Sequence, residues 1–302
     1  MRHNNRISLE LFSGRVTAVR QFLTSCYLCP RRCGIDRTAG QTGFCGILDK
    51  PVISSHGAHF GEEPPLVGRN GSGTIFLTGC NLGCLFCQNF NISHLKQGEE
   101  ITVEQLSSIM CDLQYAGCHN INFVTPTHQV PQILEALLHA RHRGMILPVV
   151  YNCGGYETLE VLKLLDGVVD IYMPDAKYSE PENARKLSGV EDYPEVMKAA
   201  LLEMHRQVGD LLVSADGVAI SGLLVRHLVL PDNLAGTEDF VNFLAEYISK
   251  DTYINVMGQY RPCYHADEYP PLDRRVFCSE MDEARQMAEK AGLHRGFERG
   301  PV

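Results

Sequence analysis

Residues 74–89 read Thr74-Ile-Phe-Leu-Thr-Gly-Cys80-Asn-Leu-Gly-Cys84-Leu-Phe-Cys87-Gln-Asn89, a short apolar run that opens into a loop with three cysteines in eight positions. The run has the composition of a buried strand. Three thiolates at this spacing can hold three irons of a cubane, which leaves a fourth iron without a protein ligand and open to a small molecule. A plain electron-transfer cluster needs a fourth protein ligand, and this loop supplies none. Gly79 and Gly83 allow the backbone to turn tightly around an inorganic core. The competing reading is zinc or simple buried thiols, although structural zinc commonly takes closely spaced cysteine pairs plus two further ligands.

Outward from this loop the chain alternates short β-branched runs with longer helical patterns, as βα units around a parallel sheet do. The strand candidates are TIFLT (74–78), INFVT (121–125), LPVVY (147–151), VDIYM (169–173), LLVRHLVL (223–230) and TYINV (252–256). Between them, 103–117, 131–144 and 237–250 space apolar residues three and four apart, which predicts helices. Pro131 suits a first turn and Gly144 a stop. Six such units without a dinucleotide-type glycine fingerprint after the first strand indicate an α/β fold of the partial (β/α)6 barrel type rather than a Rossmann sheet. The barrel is expected over residues 70–275, with a small N-terminal Cys-rich extension over 1–69 and a C-terminal helix and tail over 276–302. Special residues gather just past the strands, in TGCNLGCLFCQN, TPTHQVP, YNCGGYE, MPDAKY and LPDN. In parallel α/β architectures that end is the ligand face, so five loops converge on one candidate site.

Cys80-Asn-Leu-Gly-Cys84-Leu-Phe-Cys87 after a strand, with the aromatic Phe86 just before the last cysteine, resembles the signature of the radical S-adenosylmethionine (SAM) superfamily. The resemblance implies a [4Fe-4S] cluster on Cys80, Cys84 and Cys87, whose fourth iron chelates the amino and carboxylate groups of SAM. One electron then splits SAM into methionine and a 5′-deoxyadenosyl radical that abstracts hydrogen from a substrate. It also implies a one-electron reductant such as flavodoxin or ferredoxin. Many members carry Gly-Gly-Glu after the second strand, where this chain reads Val124-Thr-Pro-Thr-His-Gln129. Backbone carbonyls of that loop and the Thr125 or His128 side chain are then the expected SAM contacts, a loop or core-edge histidine being the alternative for His128. Asn152 is expected on the ribose or carboxylate of SAM, a turn-forming Asn being the alternative, and Cys153 reads as a small buried residue.

Met173-Pro-Asp-Ala-Lys177 resembles the methionine, aspartate and lysine cluster near SAM in the glycyl-radical-enzyme activases, the group that includes pyruvate formate-lyase activating enzyme. Asp175 and Lys177 are accordingly expected in the SAM pocket, with a plain salt bridge as the alternative. Val225-Arg-His-Leu-Val-Leu-Pro231 resembles the same activases. Neighbours on a strand point to opposite faces, so only one of Arg226 and His227 can face the barrel interior. An activase-like branch described as homologues of pyruvate formate-lyase activating enzyme is the nearer resemblance, through the N-terminal cysteines, the TPTH segment and Asn255-Val-Met-Gly-Gln-Tyr-Arg-Pro262. The implied activity is that of a radical SAM oxidoreductase acting on a glycyl-radical protein, another macromolecule or a metabolite. No residue stands out as a general acid or base. A non-catalytic iron–sulfur or zinc-binding scaffold is the alternative from a different class.

Cys26-Tyr-Leu-Cys29-Pro-Arg-Arg-Cys33, with Cys45 beyond a glycine-containing loop, forms a second group of thiols. Its spacing suits zinc or a second [4Fe-4S] cluster. A structural metal bracing the extension is the first reading and a redox cluster the second, with metal-free thiols last. Arg31, Arg32 and Arg37 lie near enough in sequence to offset thiolate charge. Twelve cysteines in 302 residues fit metal binding better than disulfides in a reducing compartment. The scattered Cys111, Cys118, Cys153, Cys263 and Cys278 read as ordinary buried thiols. A formal net charge of −9 disfavours a DNA partner, since phosphate contacts need clustered Lys and Arg. The first twenty residues lack the apolar core of a signal peptide, and no run approaches the roughly 18 apolar residues of a membrane span. A cytoplasmic location without a membrane partner is expected.

Overall fold

The computed structural model describes residues 7–297, so the first six residues of the expected extension and the last five of the expected tail lie outside it. Helix α1 (Leu9–Arg20) and strand β1 (Val52–His59) bracket the N-terminal cysteines. The six apolar runs all become strands: β2 (Ser72–Leu77), then, after the two-residue β3 (Glu99–Glu100), β4 (Ile121–Val124), β5 (Val149–Cys153), β6 (Ile171–Ala176), β8 (Ala219–Leu228) and β9 (Tyr253–Met257). They pair in parallel in that order, β2 to β4, β5, β6, β8 and β9. The short β7 (Leu212–Val213) adds to β8 antiparallel. Every residue of β4 and β5 is buried, which is how strands covered on both faces read.

The helices are α2 (Val103–Tyr115), α3 (Val130–His142), α4 (Leu159–Leu165), α5 (Pro181–Ser188), α6 (Tyr193–Val208), α7 (Thr237–Phe243) and α8 (Cys278–Lys290). Their ends follow local chemistry. Thr102 and Gln105 form a reciprocal capping box at the start of α2, Pro131 sits in the first turn of α3, and Gly144, just past the end of α3, has φ +90°, the left-handed conformation that glycine adopts freely. Thr102→Ala should lower unfolding free energy by about 1 kcal/mol, measurable as a shift of the urea midpoint at constant slope. No shift would mean that solvent satisfies the freed amides equally well.

The expected helix over 237–250 is divided. α7 ends at Phe243 and a π-helical turn, Leu244–Ile248, follows, a widening that a three-four apolar spacing does not encode. The extension is also less separate than its composition indicates. β1 pairs antiparallel with β2 from Ile53–Leu77 to His59–Ser72, so a boundary at 69/70 runs between two strands of one sheet. α1 packs on α3 through the buried stripe Phe12, Val16 and Val19, and these residues share one core with Ile75, Phe123 and Tyr151. α8 packs on α7. No helix of the described residues is long and apolar enough to cross a membrane.

Strand register builds the inner wall. Val124 is level with Asn152, Asn152 with Met173, Asp175 with Arg226, and Arg226 with Asn255. Residues in register share a face, which places Asn152, Asp175, Arg226 and Asn255 in one inward-facing belt.

Candidate functional site

The loop that leaves β2 depends on two glycines. Gly79 has φ +83° and Gly83 +70°; a Cβ on Gly79 would lie 2.7 Å from the carbonyl oxygen of Cys45, and one on Gly83 2.7 Å from the Phe44 ring. Cys80, Cys84 and Cys87 line one cavity. The Leu82 N–H donates to the Cys80 Sγ at 3.3 Å, and the Cys87 Sγ and Ser93 Oγ are 3.2 Å apart. Burial, reinforced by Cys84, pushes the Cys80 thiol up to about 12, and burial raises Cys87 as well. Left alone these thiols stay protonated at neutral pH, and metal ions supply the positive charge that makes them thiolates. Three soft donors on one loop, one of them already met by a backbone N–H, fit a cubane with one iron left open. Among the described residues no three Cys, His, Asp or Glu side chains close on a single metal ion; cysteines on a cubane each bind their own iron.

Asn152, Asp175, Lys177 and Arg226 line the same cavity. The Arg226 Nε donates to the Asp175 Oδ1 at 2.7 Å and its NH2 group to the Asn152 Oδ1 at 2.7 Å, while the Lys177 Nζ donates to the Asp175 Oδ2 at 2.9 Å. These three charged side chains are 17–20% exposed, enclosed by protein yet open to the cavity. Burial alone would raise the Asp175 carboxyl, but Arg226 and Lys177 outweigh it and hold it below the usual carboxylate range. His227 points the other way. Its Nδ1 meets the Ala176 carbonyl at 2.9 Å and its Nε2 the Thr237 Oγ1 at 3.0 Å, and burial pushes it down to about 4.

Thr125 also lines the cavity, with φ +60°, a conformation that β-branched residues rarely adopt. Its N–H donates to the Asn152 carbonyl at 2.8 Å. Phe86 lines the cavity with its ring edge-on to Tyr178 and Tyr260. His128 is not brought to this cavity. Its Nε2 bonds the Thr78 carbonyl at 2.7 Å and its side chain lines a different pocket, that of the N-terminal cysteines. Cys153 is buried, as is Cys118, but Cys111 and Cys263 are half-buried and Cys278 is exposed where α8 begins, so the five scattered cysteines are not uniformly buried.

Two groups of polar residues behind the cavity wall escaped the sequence reading. Asn255 donates to both Glu63 carboxylate oxygens at 2.9 and 2.8 Å, and Glu62 lies 3.7 Å from Arg226. Beneath the TPTH loop, Glu157 is 3% exposed and accepts from the Thr127 Oγ1 at 2.6 Å and the Tyr151 hydroxyl at 3.0 Å. Burial pushes its carboxyl up to about 7, against those hydrogen bonds.

A loop of three cysteines after the first parallel strand of a partial barrel, facing a charged belt on the following strands, defines a SAM-dependent iron–sulfur protein. The chain belongs to the radical SAM superfamily, whose family model matches residues 74–220, and its cofactors are a [4Fe-4S] cluster and SAM. It is similar to the uncharacterised protein MJ0674 of Methanocaldococcus jannaschii, 34% identical over 295 residues, covering 94% of this chain and 80% of that one. A shorter match, 32% over 118 residues, covers 37% of this chain and 48% of MJ1227 from the same organism, a proposed glycyl-radical enzyme activating enzyme. Among solved structures, a radical SAM methyltransferase from Sphaerobacter thermophilus matches with a TM-score of 0.50 and 13% identity over 97% of this chain and 94% of that one, a likeness of fold.

Proposed function

We propose that the protein cleaves SAM reductively and uses the product to abstract hydrogen from a substrate, in the manner of a glycyl-radical-enzyme activase. The observation that carries this reading is the convergence of Cys80, Cys84 and Cys87 with Asn152, Asp175, Lys177 and Arg226 on one cavity. The three cysteines would hold the cluster, which when bound supplies the electron that splits SAM into methionine and a 5′-deoxyadenosyl radical. Lys177 and Arg226 present cations suited to the SAM carboxylate. Asp175 and Asn152 offer acceptors for its amino and ribose groups. Thr125 turns backbone toward the same ligand, and Phe86 packs the last cysteine's loop against Tyr178 and Tyr260. The enclosed charges need no reorientation when SAM arrives, so positioning and water exclusion are the protein's contribution.

The activase reading draws on the Met173–Lys177 and Val225–Pro231 segments and on the likeness to MJ1227 over part of the chain. It places the protein in the cytoplasm beside a flavodoxin- or ferredoxin-type reductant, consistent with twelve unpaired cysteines. The test is anaerobic reconstitution with iron and sulfide, addition of SAM and dithionite, and assay of 5′-deoxyadenosine. Production that disappears in the Cys80/Cys84/Cys87→Ala variant is expected. No 5′-deoxyadenosine from a chain with an intact cluster and bound SAM would favour a non-catalytic scaffold instead.

A further inference from the structure

Cys26, Cys29, Cys33 and Cys45 line one pocket, together with Arg31, Arg37, Asn81 and His128. Asn81 belongs to the loop of the other three cysteines, so the two thiol groups share that loop as a wall. The contact is close throughout. Arg31 donates to the Asn81 and Leu82 carbonyls at 2.9 and 2.8 Å, its guanidinium lies 3.8 Å over the Phe44 ring, and that ring and the Cys45 carbonyl are the atoms that a side chain on Gly83 or Gly79 would strike.

Two side chains of the pocket lack a partner, Arg37 an anion and His128 a hydrogen-bond donor. Arg37 is 1% exposed; it donates to the Leu48 and His128 carbonyls, neither of which carries charge. A buried cation requires an anion, and the thiols that line the pocket with it become anions when they bind metal. His128 is equally buried. Its Nε2–H donates to a carbonyl, which leaves the Nδ1 an acceptor, and that atom is buried without a partner.

We propose that Cys26, Cys29, Cys33 and Cys45 hold a second [4Fe-4S] cluster rather than a bracing zinc ion. Three thiols within residues 26–33 repeat the span of 80–87, and a fourth from a separate turn completes the ligation. Among the described residues no three such side chains close on a single ion, as the ligands of a zinc ion must, whereas cysteines on a cubane each bind their own iron. With all four irons held by protein, this cluster has no open position for SAM, and electron transfer is its chemistry. A reduced flavodoxin or ferredoxin gives up one electron, taking this cluster from [4Fe-4S]2+ to [4Fe-4S]+. The same electron then crosses the Asn81–Leu82 wall to the cluster on Cys80, Cys84 and Cys87, and the second cluster returns to its oxidised state. Only that destination rests on the function proposed above.

The test is metal and sulfide content of the full chain, purified anaerobically from cells supplied with iron and zinc, with electron paramagnetic resonance after dithionite. About eight irons and eight sulfides per chain and no zinc are expected, the content of two [4Fe-4S] clusters. The Cys80/Cys84/Cys87→Ala variant should keep about four irons and a reducible signal that SAM does not alter. The Cys26/Cys45→Ala variant should lose that signal and keep the SAM-sensitive one, so each variant covers for failure of the other to fold. One zinc per chain beside four irons, or four irons with no second metal, overturns the proposal. Loss of SAM sensitivity alone would count against the function proposed above and leave the second cluster standing.

Discussion

Replacing Asp175 with Ala should lower the unfolding free energy by about 3 kcal/mol, the lower end of what breaking a buried ion pair costs. The carboxylate accepts from Arg226 on one oxygen and Lys177 on the other, at 2.7 and 2.9 Å, and its removal leaves two cations facing one cavity. Glu62, 3.7 Å from Arg226, and the cavity's opening to solvent keep the cost from rising further. Asp175→Asn should cost less, because an acceptor oxygen remains. The sign with pH follows from the carboxyl being held below its ordinary 3.8 by Arg226 and Lys177. Its stabilisation is present above that value and is lost as pH falls through the lower folded value. Urea unfolding of the wild type and both variants checks this, and a loss under about 0.5 kcal/mol would place the pair with solvated surface bridges.

Glu157 should act in the opposite direction. Burial pushes its folded pKa up to about 7 from 4.5, so the native chain keeps a proton that the unfolded chain releases. Its contribution is fully present below pH 4.5 and is lost as pH rises through about 7, a loss of about 3 kcal/mol across the window at 1.36 kcal/mol per unit. Glu157→Gln cannot ionise and should remove this dependence. The difference in unfolding free energy between variant and wild type, measured from pH 5 to pH 8, should therefore grow in the variant's favour. Parallel curves would show that Glu157 titrates as an ordinary carboxylate.

The strands and the three-cysteine loop were legible because both signals are local: a β-branched run buried on both faces, and three thiols within eight residues. That Asn152, Asp175 and Lys177 fall on one cavity was legible for a related reason, since a parallel barrel brings strand ends to one face. His128 took its core-edge alternative: the chain turns into a 3-10 helix at Thr127–Gln129, and the histidine ring meets the Thr78 carbonyl away from the cavity. β1 was hidden by its composition. After Val52 and Ile53 it runs Ser-Ser-His-Gly-Ala-His with its middle exposed, and only pairing with β2 and β3 makes it a strand. Glu63 finds Asn255 across 192 residues, a relation that no window of sequence contains. Glu157 reads as an ordinary residue before a helix until Thr127 and Tyr151 are folded onto it.

Arg31 has a consequence for the order in which this protein can be made. Its guanidinium donates to the carbonyls of Asn81 and Leu82 and also to those of Ser188 and Gly189 at the end of α5. A chain leaves the ribosome from its N-terminus, so residue 31 waits in solution while most of the barrel is still being translated. The loop at 80–87 gains its full set of backbone restraints only after residue 265 has emerged, when the His265 N–H can donate to the Leu85 carbonyl at 3.0 Å. Insertion of an inorganic cluster into a loop that already has its final shape is therefore an event of the nearly finished chain, not of the nascent one.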